Sequence, residues 1–193
     1  LSVAYTSFLD PEITNLVPVL KSYWLMIHVA IIIASYGFLV LGAVLGMISL
    51  CIIIFTNARN KSKLERTLSE LTIINEKSLE VGLFMLAIGT FLGGVWANES
   101  WGRYWGWDPK ETWALVSILV YTFILHMRFV PSLKSRLIFN MTSMFGIWTI
   151  IMTYFGVNYY LSGLHSYAAG DSIPIPNFVF YMLLLMILIS LAA

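Results

Sequence analysis

Three histidines and one tryptophan-rich run are the residues of this chain best suited to chemistry. Residues 101–111 read Trp-Gly-Arg-Tyr-Trp-Gly-Trp-Asp-Pro-Lys-Glu: three tryptophans, a tyrosine and four charged side chains between two stretches apolar enough to span a bilayer. So dense an aromatic patch at a membrane boundary suits a flat, apolar, partly charged ligand, and a porphyrin fits that description. Gly102 and Gly106 alternate with the aromatics, which permits tight turns and close approach of the backbone to a ligand. Arg103 and Lys110 could pair with propionates, helped by the positive end of a helix. His28, His126 and His165 are the chain's three histidines. Neutral imidazole is a favoured axial ligand of heme iron, and two opposed imidazoles complete a six-coordinate shell.

Each of these features also has a plainer reading. Asp108-Pro109-Lys110-Glu111 is a good helix start, with Asp at the N-cap, Pro at the first helical position and Glu in capping-box spacing. Asp108 can therefore cap a helix, contact a ligand, or do both. Trp96, Trp101 and Trp105 fit an interfacial aromatic belt as well as a cradle. His28 or His165 taken singly fits an interfacial polar residue. His126, inside a span, is a functional candidate or the donor of one interhelical hydrogen bond.

The elements that must position these groups follow from composition and charge. Hydrophobic residues make up 59% of the 193 and charged residues 11%, against about 45–50% and about 25% in soluble domains. This is the composition of an integral membrane protein, an all-α polytopic bundle, because an unpaired backbone cannot face lipid. A net charge of +1 offers no electrostatic case for nucleic acid. Cys51, the single cysteine, lies in an apolar run and reads as a packing residue. Spans are expected at about 24–55, 79–97, 111–127 and 137–159, with a fifth beginning near Pro176. Segment 62–77 reads equally well as an amphipathic surface helix or a solvated connector. A start at Leu1 and a last apolar run, 178–193, without flanking charges suggest a segment of a longer protein.

Orientation sorts the histidines. Arg59, Lys61, Lys63, Arg66, Lys77, Arg128, Lys134 and Arg136 fall in one set of connections; Lys21, Arg103 and Lys110 fall in the other. The basic excess puts the first set in the cytoplasm, so the tryptophan loop, the N-terminal segment and residues 160–176 face outward. His28 and His165 then share the outer face with that loop, whereas His126 stands near the inner end of the third span.

Trp101-Gly102-x-x-Trp105-x-Trp107-Asp108-x-x-Glu111 resembles the WWD signature of heme-handling membrane proteins. Its continuation, Pro109-Lys110-Glu111-Thr112-Trp113, is similar to the CcsA (ResC) branch of system II cytochrome c biogenesis, and less closely to the CcmC and CcmF branches of system I. The resemblance runs along essentially the whole chain, in the order His, WWD loop, outer His, with the span histidine between. It implies one assembly domain over residues 1–193 with a WWD loop at 96–113, in an inner, cytoplasmic or thylakoid-type membrane. It implies heme b as cofactor, with Trp101, Trp105, Trp107, Asp108, Arg103 and Lys110 around it and His28 and His165 as external iron ligands. His126 matches an inner heme ligand whose partner imidazole belongs to a CcsB (ResB)-like membrane partner. The implied activity is export of heme and its attachment to the Cys-x-x-Cys-His segment of apocytochrome c. Two alternatives remain: an electron-transfer membrane anchor of the cytochrome b kind, or a structural or transport protein without heme.

Overall fold

The computed structural model describes residues 22–165 and 174–193, and the regular structure it contains is helical. Helix α1 spans Tyr23–Ile54. The Ser22 hydroxyl accepts the Trp24 N–H at 3.2 Å and so caps a stretch that carries no charged residue. At 1.5 Å per residue such a helix is about 48 Å long, enough to cross a ~30 Å hydrocarbon core with tilt. Helix α2 spans Lys61–Trp101 and ends at Gly102, whose φ of 72° is the left-handed conformation glycine adopts freely.

The 41-residue length of α2 corrects one expectation. Segment 62–77 is neither a separate surface helix nor a connector, but the first four turns of the second span. No glycine or proline interrupts residues 61–81, and the pairs Arg66–Glu70 and Lys77–Glu80 support the helix at i,i+4 and i,i+3 spacing. Its charged residues belong to the part of α2 that precedes the charge-free stretch beginning after Glu80.

Helix α3 spans Pro109–His126 and passes into a 3-10 turn at Met127–Phe129. Helix α4 spans Arg136–Ile151, with the Ser135 hydroxyl accepting the Ile138 N–H at 3.0 Å. A single π turn, Met152–Gly156, joins it to the short α5, Val157–Tyr160. Together they cover the fourth expected span. Helix α6, Asn177–Ala192, is the fifth apolar element and is shorter than the other four. Among the described residues, four helices are therefore long and apolar enough to cross a membrane. The N-terminal segment, Lys21 and residues 166–173 lie outside the described residues.

An antiparallel α1–α2 pair forms the spine, with α4 crossing α1 and α3 packed on α2 and α4. Leu39, Leu79, Leu86, Tyr121, Ile124 and Ile150 make the main core. Lipid tails are as apolar as leucine, so packing and hydrogen bonds must hold such helices together. Gly46 lets α1 and α4 touch backbone to backbone: a Cβ there would lie 2.6 Å from the Asn140 carbonyl oxygen. Beside it, buried Asn75 donates to Asn140 Oδ1 at 3.1 Å, and the Ser143 hydroxyl sits 3.0 Å from both the Gly42 carbonyl and Asn75 Oδ1. This network ties α1, α2 and α4 near the start of α4. It leaves one end of the bundle, where α1 begins, α2 ends and α3 begins, free to be shaped for binding.

Candidate functional site

A cavity of about 620 Å3 opens at that end. It falls in the roughly 300–1,000 Å3 range of small-molecule sites. Leu25, Met26, Val29 and Ile32 of α1 supply an apolar wall, and His28, Trp105, Lys110, Glu111 and His165 are among its polar and aromatic groups.

His28 lies one turn into α1 from Trp24. Its Nδ1 is 2.6 Å from the Gly89 carbonyl oxygen. A carbonyl can only accept, so Nδ1 carries the proton and Nε2 keeps its lone pair. The ring fits against α2 because residue 93 is glycine: a Cβ there would lie 2.6 Å from His28 Cε1.

His165 reaches the cavity from beyond α5. Its Nδ1 is 2.9 Å from Asp108 Oδ2, so it too donates through Nδ1 and leaves Nε2 available. Burial holds this imidazole below its ordinary value of 6.5; the hydrogen bond and charge of Asp108 work against that shift, and Lys110 adds to it. His165 is therefore neutral near pH 7, and its contact with Asp108 is a hydrogen bond rather than an ion pair. A histidine whose second nitrogen is fixed by a carboxylate or a carbonyl is the usual arrangement of a metal-binding imidazole.

Asp108 is buried and works at three places. It accepts the Lys110 N–H at 3.3 Å as the N-cap of α3, the Leu164 N–H at 2.6 Å, and His165. Glu111 completes the capping box by accepting the Asp108 N–H at 3.2 Å, and also accepts the Gly106 N–H at 2.8 Å. The cap reading of Asp108 holds, and the same side chain also reaches His165. Its partners are protein groups, however, and it does not line the cavity.

The tryptophans divide the same way. Trp105 lines the cavity. Trp101 lies behind His165, with ring centroids 4.9 Å apart. Trp107 is 70% exposed, set edge-on to Trp105 at 5.7 Å, with a left-handed φ of 57°. Lys110 lines the cavity and its Nζ donates to Asn158 Oδ1 at 2.9 Å. Arg103 is exposed, packs its guanidinium over Gly106, and does not line the cavity.

Trp96 is more than the belt residue its sequence position suggests. It is a fully buried cavity residue, parallel to the His28 ring at 6.3 Å and edge-on to His165 at 5.5 Å. The pair Gly93-Gly94 one turn earlier was the available signal, since small residues mark where something approaches a helix. Tyr104 and Thr153 were also missed. Thr153 is brought to α3 by the π turn, where its hydroxyl lies 3.2 Å from the Trp113 carbonyl oxygen and 3.1 Å from the Ser117 hydroxyl.

His126 is not part of this site. It sits at the far end of α3, exposed, with Nδ1 2.7 Å from the Thr122 carbonyl oxygen of its own helix. That bond is within one helix, so the interhelical alternative does not apply.

Comparison with known proteins matches residues 1–165 to the cytochrome c assembly protein family. The chain belongs to that family. Protein NrfI of Wolinella succinogenes is 56% identical over 89% of this chain, which corresponds to 19% of that protein. Cytochrome c biogenesis protein CcsA of Prochlorococcus marinus is 36% identical over 86% of the chain and 62% of its own length. The CcsA protein of Cyanophora paradoxa is 34% identical, with 86% and 66% covered. This cytochrome c assembly chain thus spans less than two thirds of the first relatives it matches, and it is a polytopic helical membrane protein.

Proposed function

We propose that this chain holds heme b at the outer face of the membrane and presents it for covalent attachment to apocytochrome c. One observation carries the reading: two imidazoles far apart in the chain line a single apolar cavity, each with Nδ1 engaged and, among the described residues, no partner on Nε2. A two-imidazole set suits an iron whose other ligands come with it, in a macrocycle. The names of the relatives, cytochrome c biogenesis protein among them, agree with that cargo.

The roles follow from position. His28 and His165 ligate the iron. Trp105 and Tyr104 cover the macrocycle, and Lys110, steadied by Asn158, pairs with a propionate. Asp108 and Trp101 act one step back, by orienting His165. Heme supplies vinyl groups, to which the two thiols of a Cys-x-x-Cys-His segment add as thioethers. The chain supplies placement: it fixes the iron, limits water at the apolar wall, and turns an edge toward the acceptor. The acceptor's own histidine can displace one imidazole, which gives a route to release. His126 serves an inner heme position, with its second imidazole coming from a CcsB-like partner.

Maturation of a reporter apocytochrome c, with a CcsB-like partner co-expressed, tests this directly. His28→Gly and His165→Gly should each abolish thioether formation, and added imidazole should restore part of it. Wild-type maturation in both variants rules the site out. A protein that carries heme yet leaves the reporter immature is instead an electron-transfer anchor.

A further inference from the structure

At the opposite end of the bundle, a smaller hollow of about 280 Å3 opens where α3 and its link to α4 meet α2. Arg128, Lys134 and Arg136 line it, and its walls include Met127, Leu133 and Phe139. Glu76 is the carboxylate facing these three cations. Arg128 pairs with Glu76, and Arg136 reaches Glu65 at 3.5 Å, both with half-exposed cationic side chains. Lys134 makes no ion pair among the described residues, so the hollow keeps uncompensated positive charge.

Its depth and polarity are both particular. The uncharged stretch of α2 begins after Glu80, α3 ends at His126 and α4 begins at Arg136, so the hollow sits at the membrane boundary. Phe129 and Val130, which follow Arg128 in the chain, are exposed apolar residues. Cations at headgroup level above an apolar wall make a complement to an anionic amphiphile. Basic pockets between membrane helices on the cytoplasmic side take up lipid headgroups in this way, and arginine forks suit phosphate oxygens.

We propose that this hollow binds one anionic phospholipid, its phosphate held by Arg128, Lys134 and Arg136 and an acyl chain lying along Met127, Leu133 and Phe139. The bound lipid fixes the depth of the α3–α4 link in the bilayer, a role independent of the heme reading. Glu76 competes with the phosphate for Arg128 and so tunes the affinity.

Native mass spectrometry of the whole chain, released from mixed micelles of phosphatidylglycerol and phosphatidylcholine, tests the assignment. One phosphatidylglycerol should be retained per chain in preference to phosphatidylcholine. Lys134→Gln should weaken retention about fivefold, as expected for one cation near a headgroup. Lys134→Gln/Arg136→Gln should weaken it further, and Lys63→Gln, a distant cation on the same side, should leave it unchanged. Glu76→Gln should strengthen retention, a change that unfolding cannot mimic. Equal retention of both lipids, no loss in Lys134→Gln, an equal loss in Lys63→Gln, or no gain in a folded Glu76→Gln overturns the site. Displacement of the lipid by equimolar inorganic phosphate or by a porphyrin dicarboxylate overturns the choice of a phospholipid.

Discussion

Asp108 joins a helix start to a candidate iron ligand within one side chain. Asp108→Asn keeps a capping residue of the same size but removes the charged acceptor from His165. Loss of such a partner costs about 10–100-fold in metal affinity, so heme retention should fall by about that much while α3 stays folded; retention equal to wild type would remove Asp108 from the site. Acidity tests the same pair. The folded pKa of His165 lies below its ordinary 6.5, so between the two values the folded chain binds fewer protons than the unfolded one. Stability then rises with pH through that window, and the unfavourable effect is full only below the folded pKa. The ligating imidazole should accordingly stay neutral, and heme stay bound, from pH 8 down to 6.5, with release below; a spectrophotometric titration centred above 6.5 would contradict this. In the sequence, Asp108 was legible as a cap and His165 as a candidate ligand. Their contact was not, because 57 residues separate them and no local pattern records a tertiary hydrogen bond.

The helices were the most legible part, since charge-free runs of sufficient length have one solution in lipid. The start of α3 was readable because its cap is written in the sequence at Asp108; the caps at Ser22 and Ser135 emerged only with the structure. The π turn at Met152–Gly156 was not readable, because it carries no local signal distinct from an ordinary helix; the unbroken α2 was not, because the charges of 61–80 set that part apart from the apolar span it continues. How the helices cross depends on small residues, and Gly46 makes the sharpest test. Gly46→Val would press its side chain onto the Asn140 backbone, an overpacking expected to cost about 1–3 kcal/mol. Gly37→Ala, where a Cβ meets nothing within 4 Å, should be neutral or stabilising by up to about 1 kcal/mol. Thermal unfolding in detergent compares the two, and equal effects would contradict the α1–α4 contact.

For the whole molecule, the two ends of the bundle have opposite characters. One carries the cavity and the tryptophan loop; the other gathers the basic residues and their ion pairs with Glu65 and Glu76. Placing the cavity end outward predicts that Tyr104→Cys, in a Cys51→Ala background, reacts with a membrane-impermeant thiol reagent from outside. Ser132→Cys, in the α3–α4 link, should react only from inside. The reverse pattern would invert the molecule and its direction of presentation. In the proposed function, one cavity holds one iron between His28 and His165. The absorption spectrum of the chain purified with heme available tests it most directly. A Soret band of low-spin, two-imidazole heme is expected, lost or shifted in His28→Ala and in His165→Ala and surviving in His126→Ala. A band unchanged in both His28→Ala and His165→Ala, or no band in the wild-type protein, would contradict it.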